Sequence, residues 1–422
     1  MQAAILSIGD ELVLGQTVDT NSAFLSSQLA SRGIMTLLHQ TVADDVTAIS
    51  DMIVYASKRV ELIIISGGVG PTDDDLTRQA LANAMDTDLV MDQTILPSIE
   101  VFFTRRGKPM PGRNKIQAYH PVGTTLIPNT CGTAPGIKAQ LNQATIYVTP
   151  GVPSEMKTMW ELSILPEITT KHAPSSRFIQ TLKVNTFGRG ESTVAQELGE
   201  LFDRKRNPLV GTTVSQGIVA VRIRSEFETR QRTTDELNHT RKIVEDGLGP
   251  IVFGTENTTL ADVLVNMLIE RDLTLVTAES CTGGLIAKRL TDVPGSSSVV
   301  KGGWVTYANE MKTQELGVPQ DMLIKHGAVS EPVALQMAQA ARQQAKSDFA
   351  ISVTGIAGPD GGSKDKPVGT VWLAIADRNT VTARRFAFLG TRQTIRDRTA
   401  KMACQMLRFK LLGEDDAAMT MG

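Results

Sequence analysis

The sequence predicts an α/β protein in which a small α+β module separates two α/β domains. Apolar strand patterns alternate with amphipathic helix patterns up to about residue 165, and again from about residue 258. The segment between them has strands that alternate polar and apolar residues. A chain of 422 residues is also too long for one ordinary domain. We therefore predict domains at 1–168, 169–255 and 256–413, and an acidic tail at 414–422.

The first domain opens with AAILSIG, a short apolar run that ends in glycine, as buried parallel strands do. Asn21 is predicted to cap the following helix, SAFLSSQLASRG. Phe24, Leu25 and Leu29 share one face of that helix. ELIIISGG is another buried strand, and the helix LTRQALANAM follows it. This order of elements predicts right-handed βαβ units on a parallel sheet.

The middle segment contains two alternating strands, FIQTLKVNTFG and GIVAVRIRSEFE, around a short helix at ESTVAQELGELF. A second helix, TTDELNHTRKIVEDGLG, precedes the strand PIVFG. Two helices on a sheet are typical of a small α+β module. Residues 200–242 contain nine Lys or Arg and six Asp or Glu, which favours a solvated charged surface over an RNA-binding strip.

The third domain begins with the helix LADVLVNMLIERD, the strand LTLVTAES and a helix predicted to start at Thr282. Further strands are SVVKGGWVTYA, FAISVTG, TVWLAIA and TARRFAFLG. Further helices are EPVALQMAQAARQQAK and TIRDRTAKMACQMLRFKLL. Three of the strand-end loops should meet at one edge of the sheet, which is where α/β domains usually bind ligands.

Composition and charge exclude several classes of protein. A net charge of −2 and a pI of about 6.3 provide no basic field for nucleic acid or anionic membranes. The N-terminus lacks a basic region before its apolar run, and no apolar run reaches membrane-spanning length. Cys131, Cys281 and Cys404 lie far apart without metal-ligand spacing. We therefore expect a reduced, cytoplasmic protein.

TAESCTGGLIAKRL places two candidate nucleophiles, Ser280 and Cys281, before a Gly-Gly pair. The N–H groups of residues 282–284 at this strand–helix turn would lack intrahelical partners and could stabilise an oxyanion. Gly283 and Gly284 would let a substrate approach the backbone. The alternative is that Ser280 is a plain helix cap. Cys281 is most simply a small buried apolar residue.

No Ser-His-Asp or Cys-His system can be recognised, because the five histidines are scattered. A lysine in a partly desolvated site can activate a serine instead. GGWVTYANEMKTQELG supplies Tyr307, Asn309 and Lys312, although a lysine on a helix is usually a solvated surface charge. The glycine-rich loop after Thr354 could bind a phosphate or carboxylate through its amides, or be a flexible surface loop.

Arg392 and Arg396 lie four residues apart on the last helix and therefore share a face. Two guanidinium groups at this spacing could clamp an anionic substrate.

The motifs AESCTGGL, GGWVTYANEMK, VTGIAGPDGGSKDKPVGTVW and GTRQTIRD together resemble the C-terminal domain of the competence/damage-inducible CinA family. The resemblance implies an amidohydrolase that converts nicotinamide mononucleotide (NMN) to nicotinate mononucleotide and ammonia. It implies that Ser280 is the nucleophile, that Tyr307 and Lys312 activate it, that Thr354 joins the same polar cluster, and that Arg396 lies near the phosphate. No metal is implied for this activity, with K⁺ left open. The predicted substrate contacts are Cys281, Thr282, Gly283, Gly284, Asn309, Gly355, Arg392 and Arg396.

Acidic side chains also follow three strands of the first domain, in IGDELVLGQTVDTN, VADD and SGGVGPTDDDLT. The glycine-rich turn of the third motif would let phosphates approach, and the carboxylates could bind a divalent metal that bridges them. Each acid alone is more simply a helix cap or a first-turn carboxylate. Their joint location at one sheet edge favours a metal–nucleotide site.

These stretches, with NTCGTAPG and TPGVPSEM, resemble the CinA N-terminal domain, whose three-layer fold is similar to the molybdopterin-binding MoaB/MogA domains. The resemblance implies a metal-dependent pyrophosphatase that cleaves ADP-ribose to AMP and ribose 5-phosphate. Asp75 matches the aspartate after the glycine-rich turn of the molybdopterin-adenylating relatives, and Asp44 matches their second acidic position. Ile116 stands where the family more usually has a basic residue, which would remove a phosphate contact.

The predicted ligands for Mg²⁺, Mn²⁺ or Co²⁺ are Asp10, Glu11, Asp74 and Asp75, and Asp44 and Asp75 are predicted to be catalytic. The predicted substrate contacts of this domain are Gly9, Asn21, Gly67, Gly68, Gly70, Thr133 and Glu155.

The middle module resembles the KH-type fold of the same family, but it contains no convincing GxxG clamp for nucleic acid. The resemblance as a whole implies a bifunctional pyridine-nucleotide salvage enzyme that acts on NMN and ADP-ribose. We expect a cytoplasmic homodimer without nucleic-acid or membrane partners. Two alternatives remain open: a molybdopterin-binding or adenylyltransfer protein, and a nucleic-acid-binding competence factor.

Overall fold

The structure is a computed structural model that describes residues 1–171, 178–414 and Met419. The chain forms two compact units, Met1–Gln180 with Glu226–Thr234, and Thr181–Ser225 with Asp235–Gly422. The second unit holds most of the predicted middle module together with the C-terminal domain. Of the predicted acidic tail, all but Glu414 and Met419 lies outside the described residues.

The helices and strands follow each other in an α/β order through most of the chain. The strands are β1 (Gln2–Ile8), β2 (Met35–Val42), β3 (Leu62–Ser66), β4 (Leu89–Met91), β5 (Tyr119–Pro121), β6 (Thr125–Ile127), β7 (Gly136–Leu141), β8 (Ala144–Thr149), β9 (Phe178–Phe187), β10 (Leu209–Ser215), β11 (Ile218–Phe227), β12 (Val252–Thr255), β13 (Leu275–Glu279), β14 (Val300–Val305), β15 (Phe349–Gly355), β16 (Thr370–Ala376) and β17 (Val381–Ala387). The helices are α1 (Asp10–Val13), α2 (Thr20–Ala30), α3 (Val46–Ser57), α4 (Thr77–Ala84), α5 (Leu96–Thr104), α6 (Pro153–Met159), α7 (Leu165–Lys171), α8 (Glu191–Leu198), α9 (Arg230–Leu248), α10 (Leu260–Glu270), α11 (Leu285–Thr291), α12 (Asn309–Leu316), α13 (Gln320–His326), α14 (Glu331–Ala345) and α15 (Arg392–Leu412).

The first unit is built on a sheet of order β2-β1-β3-β8-β7-β6. The β2-β1, β1-β3 and β3-β8 pairs are parallel, and the other two pairs are antiparallel. Side chains of β1 alternate between two cores: Leu6 packs in one and Ile5 in the other. Both faces of the sheet are therefore covered, as in a three-layer α/β domain. The carboxyl ends of the four parallel strands meet at one edge, which brings the loops after β1, β2, β3 and β8 together.

The predicted helix cap at Asn21 is wrong. Helix α2 begins at Thr20, and the Asp19 carboxylate accepts the Ser22 N–H at 3.0 Å. Asn21 lies inside the helix and is buried, because its amide donates to Ser66 and to the backbone of the β8 loop. Asp and Asn cap helices about equally well, so the sequence alone did not distinguish the two.

The middle module contains a sheet of order β10-β11-β9-β12 with helices α8 and α9, which is the predicted α+β arrangement. Strand β10 was not predicted from the sequence. It pairs antiparallel with β11 along its whole length. Apolar residues of this module, such as Val184 and Val221, join a single hydrophobic core with Leu264 and Leu407 of the C-terminal domain. The two predicted domains therefore share one core.

The C-terminal domain has a sheet of order β14-β13-β15-β16-β17. Strands β14, β13 and β15 are parallel, whereas β16 and β17 are antiparallel to their neighbours. Helix α14 covers one face with Val333 and Met337, and α15 covers the other with Ile395 and Leu407. The three parallel strands end at one edge, directly before the loops that carry Ser280, Tyr307 and the glycine-rich segment.

No helix in the part of the chain that the structure describes is long and apolar enough to cross a bilayer.

Candidate active sites

Ser280 follows β13 and begins a tight turn into α11. Its N–H donates to the Val353 carbonyl at 3.0 Å, and its own carbonyl accepts the Gly283 N–H at 3.0 Å. Gly283 and Gly284 have φ values of +58° and +88°, a left-handed conformation that residues with a Cβ rarely adopt. The helix predicted to start at Thr282 therefore starts only at Leu285, because the two glycines form a turn instead.

Lys312 reaches Ser280 from α12. Its Nζ lies 3.0 Å from Ser280 Oγ, 2.7 Å from the Thr306 carbonyl and 3.4 Å from the Tyr307 carbonyl. The residue is only 1% exposed, which excludes the alternative of a solvated surface charge. Burial lowers the pKa of Lys312 because the ammonium form loses its hydration, although the nearby Glu310 partly offsets this effect. A buried amine at this distance is the arrangement that a serine–lysine nucleophile requires.

Cys281 is a buried neighbour of Ser280. Burial raises the pKa of its thiol to about 12, so the reactive thiolate is almost absent at neutral pH. A Cβ on Gly355 would lie 3.1 Å from the Cys281 sulfur, so the glycine is needed for close packing here. Thr354 is buried as well, and its hydroxyl donates to the Ala328 carbonyl at 2.8 Å rather than to Ser280.

Two of the predicted oxyanion donors are open, and the third is not. The Gly283 N–H is already bonded to the Ser280 carbonyl, so the prediction that all three amides of residues 282–284 are open is wrong at this position. Within the described part of the chain, the N–H groups of Thr282 and Gly284 make no backbone hydrogen bond. These two amides are the candidates for binding an oxyanion beside Ser280.

Arg392 and Arg396 connect the three strand-end loops. Arg396 donates to the Thr282 carbonyl at 2.6 Å, whereas Arg392 donates to the Gly358 carbonyl at 2.7 Å and to the Tyr307 hydroxyl at 2.6 Å. Neither guanidinium pairs with a carboxylate among the residues that the structure describes. Both charges are therefore available to an anion.

Tyr307 and Asn309 lie at the open side of this site. The Tyr307 side chain is 57% exposed, and its hydroxyl contacts Arg392 rather than Ser280. Only the Tyr307 carbonyl approaches Lys312. Asn309 is exposed at the first position of α12. The geometry therefore favours Lys312 over Tyr307 as the group that takes the Ser280 proton.

In the first unit, the glycine-rich turn after β3 lines a cleft of about 400 Å³. Gly67 and Gly68 have φ values of +112° and +69°. A Cβ on Gly67 would lie 2.3 Å from the Ile8 carbonyl, and one on Gly68 would lie 2.1 Å from the Thr77 hydroxyl. That hydroxyl donates to the Gly67 carbonyl at 2.9 Å. The turn therefore depends on glycine at both positions.

Asp75 and Arg78 hold the rest of this turn. The Asp75 carboxylate accepts the Gly70 N–H at 2.6 Å and the Thr72 N–H at 2.8 Å. A Cβ on Gly70 would lie 2.4 Å from this carboxylate. Arg78 is buried and donates to the carbonyls of Val69 and Gly70. Because both oxygens of Asp75 bind the turn, the geometry favours a shaping role for Asp75 over the predicted role of a metal ligand.

Asp10 and Asp44 join the loops after β1 and β2. The Asp44 carboxylate accepts the Asp10 N–H at 2.9 Å, and the Asp44 N–H donates to the Asp10 carboxylate at 3.1 Å. Burial raises the pKa of Asp44, and the negative charges of Asp10, Glu11 and Asp74 raise it further. A divalent cation would relieve this repulsion.

The acidic side chains of the cleft do not form a cage for a metal. Among the described residues, no three His, Cys, Asp or Glu side chains are grouped so that they could hold an ion together. The residues present fit a hard cation that takes one or two carboxylates and completes its shell with water and phosphate oxygens, which is how Mg²⁺ is usually bound at phosphate sites. Glu11, Asp44 and Asp74 line the cleft and are the candidates for those carboxylates, whereas the predicted ligand Asp10 is not among the lining residues.

Of the remaining predicted contacts, Gly9, Thr133 and Glu155 line the cleft. Glu155 accepts a hydrogen bond from the Asn129 side chain at 2.6 Å. Asn21 is not among the residues that line the cleft, because its amide is used to tie α2 to the neighbouring loops.

Family models match the chain in three consecutive segments. Residues 4–170 match the probable molybdopterin binding domain, residues 181–254 match the damage-inducible protein CinA KH domain, and residues 257–411 match the CinA C-terminal domain. A CinA-like protein from Geobacter metallireducens is 42% identical over 413 residues, which are 98% of this chain and 100% of that protein. A putative competence-damage inducible protein from Caldicellulosiruptor bescii is 39% identical over 412 residues, with 98% and 100% coverage.

The chain belongs to the CinA family. Its three domains are MoaB/MogA-like, CinA KH and CinA C-terminal, in the predicted order. A solved structure, described as competence/damage inducible protein CihA from Agrobacterium tumefaciens, is 46% identical. The match covers 36% of this chain and 93% of the solved chain, with a TM-score of 0.35.

The sequence reasoning missed two residues of the MoaB/MogA-like domain, Arg78 and Gln117. Gln117 is buried and lines the cleft, whereas its neighbour Ile116 is half exposed and is not among the residues that line it. Arg78 is the second residue of α4, directly after Thr77, in a segment with the pattern of an ordinary amphipathic helix. Nothing in this pattern indicates that the Arg78 side chain contacts the glycine-rich turn.

In the CinA C-terminal domain, the residue that the sequence reasoning missed is Glu279, directly before Ser280. It is fully buried, and its carboxylate accepts the N–H groups of Ile286 at 3.1 Å and Ala287 at 2.8 Å. The available signal was the acidic residue at the end of an otherwise buried strand, since a buried carboxylate needs hydrogen-bond partners.

Proposed function

We propose that this CinA-family chain is a bifunctional hydrolase of pyridine-nucleotide salvage. Its C-terminal domain would convert NMN and water to nicotinate mononucleotide and ammonia, and its N-terminal domain would cleave ADP-ribose to AMP and ribose 5-phosphate. The observation that carries the first activity is the contact of the buried Lys312 amine with the Ser280 hydroxyl at 3.0 Å. Both substrates are derived from the same dinucleotide, which is consistent with one chain acting on both.

The first step of the proposed amidohydrolase depends on the neutral form of Lys312. A neutral amine has two N–H bonds for the carbonyls of Thr306 and Tyr307, and its lone pair can then accept the proton of the Ser280 hydroxyl. Ser280 Oγ attacks the carbon of the carboxamide while Lys312 takes this proton. Desolvation favours this step because it increases the neutral fraction of the amine at a given pH.

The negative oxygen of the tetrahedral intermediate would be bound by the N–H groups of Thr282 and Gly284. When the intermediate collapses, the carbon–nitrogen bond breaks and the Lys312 ammonium protonates the leaving nitrogen, so that ammonia departs and an ester remains on Ser280. A water molecule then attacks this ester while Lys312 takes its proton, the carbon–Oγ bond breaks, and the Lys312 ammonium returns the proton to Ser280 Oγ as the acid product leaves. One water is consumed and one ammonia is formed.

Arg392 and Arg396 would bind the phosphate of NMN. Each now donates to neutral carbonyl or hydroxyl oxygens rather than to a carboxylate, so that a phosphate would be their first anionic partner. Because they contact the loops after β13, β14 and β15, a phosphate bound there would also order the edge of the sheet that carries Ser280.

The test of this activity is Ser280→Ala in the full chain. We expect ammonia release from NMN to fall by about 10³-fold or more, because no other nucleophile replaces the hydroxyl. ADP-ribose cleavage by the same preparation should be unchanged, which controls for the amount of protein, and an unchanged melting temperature of the variant controls for folding of the C-terminal domain. Ammonia release at the wild-type rate would refute the role of Ser280.

For the N-terminal domain, the proposal is supported by a cleft that combines a glycine-rich turn with several carboxylates. Carboxylates among Glu11, Asp44 and Asp74 would hold Mg²⁺, Mn²⁺ or Co²⁺, and such an ion would neutralise pyrophosphate charge and lower the pKa of bound water. Asp75 and Arg78 would keep the turn in a shape that lets the phosphates approach its backbone.

Removal of divalent metal with a chelator should abolish ADP-ribose cleavage and spare NMN hydrolysis, and the opposite pattern would contradict the assignment.

A second function of the N-terminal domain is favoured by one observation, its match to the probable molybdopterin binding domain. That match supports adenylyl transfer to molybdopterin as the alternative to ADP-ribose cleavage. Incubation of the chain with ATP and molybdopterin would distinguish the two, because only the alternative forms an adenylylated pterin.

We also propose that the protein is a cytoplasmic homodimer. Strand β14 is at the edge of its sheet, and Val305 and Tyr307 beside the Ser280 site are at least half exposed. A partner subunit that covers this edge would shield the proposed ester intermediate from solvent. The molar mass in solution, measured by light scattering, tests this, since 45.6 kDa would indicate a monomer.

A further inference from the structure

We infer that Glu279 is a positioning residue that holds the Ser280 turn in its reactive geometry. The inference rests on the proposed role of Ser280 as the nucleophile and adds a residue that does not itself touch the substrate. Glu279 is the last residue of β13, between the parallel strands β14 and β15, and it is fully buried. A buried carboxylate at this point requires an explanation, because the loss of its hydration is costly.

The conformation of the turn creates the need for this carboxylate. The N-cap of α11 is Gly284, which has a φ of +88° and no side chain to bond the first N–H groups of the helix. Side chains such as Ser or Asp usually supply that acceptor. Here the acceptor comes from the other end of the turn, since Glu279 binds the N–H groups of Ile286 and Ala287. One side chain therefore joins the residue before Ser280 to the helix after it.

The same residue is connected to Lys312 through the backbone. The Glu279 carbonyl accepts the Thr306 N–H at 2.8 Å, and the Thr306 carbonyl accepts the Lys312 amine at 2.7 Å. Glu279 thus links the nucleophile turn to the loop that holds the base. If its side chain loses its hold on α11, the separation of Ser280 Oγ and Lys312 Nζ should change. An error of about 1 Å in such a contact is enough to slow a reaction about 10²-fold.

Glutamate suits this position better than its nearest isostere. A carboxylate can accept two N–H groups at once, whereas glutamine has one oxygen and would turn its NH₂ group toward the second N–H. Glu279→Gln is therefore a nearly isosteric change that replaces one hydrogen bond by a donor–donor contact. Glu279→Asp keeps the charge but is one methylene too short to reach both N–H groups, so that it separates the effect of charge from that of reach.

The experiment uses the full chain and compares Glu279→Gln and Glu279→Asp with Thr259→Ala. Thr259 caps another helix of the same unit, α10, and forms a capping box with Asp262, so that its loss controls for a broken cap. The measurements are the melting temperature, the rate at which a fluorophosphonate labels Ser280, and kcat and KM for NMN. The labelling rate reports the reactivity of Ser280 whether or not NMN is the substrate.

We expect all three variants to lower the melting temperature by a few degrees, as broken helix caps do. Both Glu279 variants should reduce the labelling rate and kcat about 10²-fold, with KM for NMN changed less than about threefold. Thr259→Ala should leave labelling and kcat within about twofold of wild type. If one Glu279 variant is too unstable to purify, the labelling rate of the other still tests the inference.

Labelling of both Glu279 variants at the wild-type rate would refute the inference, and so would a loss no greater than that of Thr259→Ala. A wild-type chain that is labelled at Ser280 but releases no ammonia from NMN would refute only the proposed substrate, because the Glu279 comparison then still stands on the labelling rates. Absence of labelling in the wild-type chain would refute the nucleophile and the inference together.

Discussion

The Lys312 side chain loses nearly all of its water when it packs against Ser280, and its pKa falls below the ordinary value of 10.5 as a result. Since the proposed reaction needs the neutral amine, we expect kcat/KM for NMN to rise with pH through a pKa below 10.5. Lys312→Met should lower kcat/KM by about 10³-fold and remove this dependence. The exposed Lys325, changed to methionine, is the matched control. A pH profile that survives in Lys312→Met would assign the proton transfer to another group.

The same shift predicts a pH effect on stability. Because the pKa of Lys312 is lower in the folded chain, the unfolded chain binds more protons between that pKa and 10.5, and the free energy of unfolding rises with pH across this window. Wild type should therefore gain stability relative to Lys312→Met as pH increases there. Denaturant unfolding of both proteins at several pH values measures the difference, and parallel curves would contradict a lowered pKa.

Cysteine reactivity gives a third prediction at the residue scale. Cys131 is exposed, whereas Cys281 and Cys404 are buried and burial raises the pKa of both thiols to about 12. Iodoacetamide at pH 8 should therefore alkylate only Cys131 in the folded protein and leave NMN hydrolysis unchanged. Peptide mass spectrometry identifies the site. Rapid alkylation of Cys281 with loss of activity would revive the thiol as a candidate nucleophile.

The turn between β13 and α11 is the element on which the C-terminal site depends. Gly283→Ala introduces a Cβ where φ is +58° and Arg396 lies 3.3 Å away. Gly317 has nearly the same φ, +60°, at the end of α12, but an added Cβ would meet no atom within 4 Å. Both alanine variants should lose about 1 kcal/mol of unfolding free energy. Only Gly283→Ala should also slow NMN hydrolysis, by about 10²-fold. Equal rates of NMN hydrolysis in the two variants would show that the turn tolerates distortion.

The glycine-rich turn of the N-terminal domain allows the roles of two acids to be separated. Asp75 binds the turn itself, whereas Asp44 faces the other carboxylates of the cleft. We expect Asp44→Asn to weaken Mn²⁺ binding, measured by titration calorimetry with ADP-ribose present, by about tenfold. Asp75→Asn should lower the rate of cleavage with less effect on that affinity. If Asp75→Asn weakens Mn²⁺ binding and Asp44→Asn does not, Asp75 would be the metal ligand instead.

At the scale of the whole molecule, α15 joins the middle module to the C-terminal domain. Lys401, Gln405 and Arg408 donate to backbone carbonyls of the module, and Arg408 binds two of them, those of Pro250 and Val252. Arg408→Met should lower the free energy of unfolding by about 2–4 kcal/mol, because the carbonyls of Pro250 and Val252 would each lose a hydrogen bond from the guanidinium. In this variant, NMN hydrolysis should be lost at a lower temperature than in wild type, whereas the temperature at which ADP-ribose cleavage is lost should be unchanged. Equal shifts of both activities would show that the two units unfold together.

Most of the fold could be predicted from the sequence, because its periodicity is local. Buried strands such as Leu62–Ser66 and amphipathic helices can be recognised from the pattern of about five to fifteen consecutive residues. The order of these elements then limits the possible topologies. Strand β10 was not predicted, because a glycine interrupts its apolar residues and its last three residues are exposed. The choice between Asp19 and Asn21 as a cap was not predicted either, since both residues suit the position.

For the candidate sites, the sequence by itself determined which residues could take part: Ser280 at a strand end, Lys312 two loops away, and the carboxylates beside a glycine-rich turn. Only the tertiary structure decided that Lys312 is buried against Ser280, that Asp75 binds its own turn, and that Glu279 reaches across to α11. The physical reason is that hydration and hydrogen bonding depend on neighbours that are distant in the chain. A side chain's type is local, but its pKa and its partners are set by what folds around it.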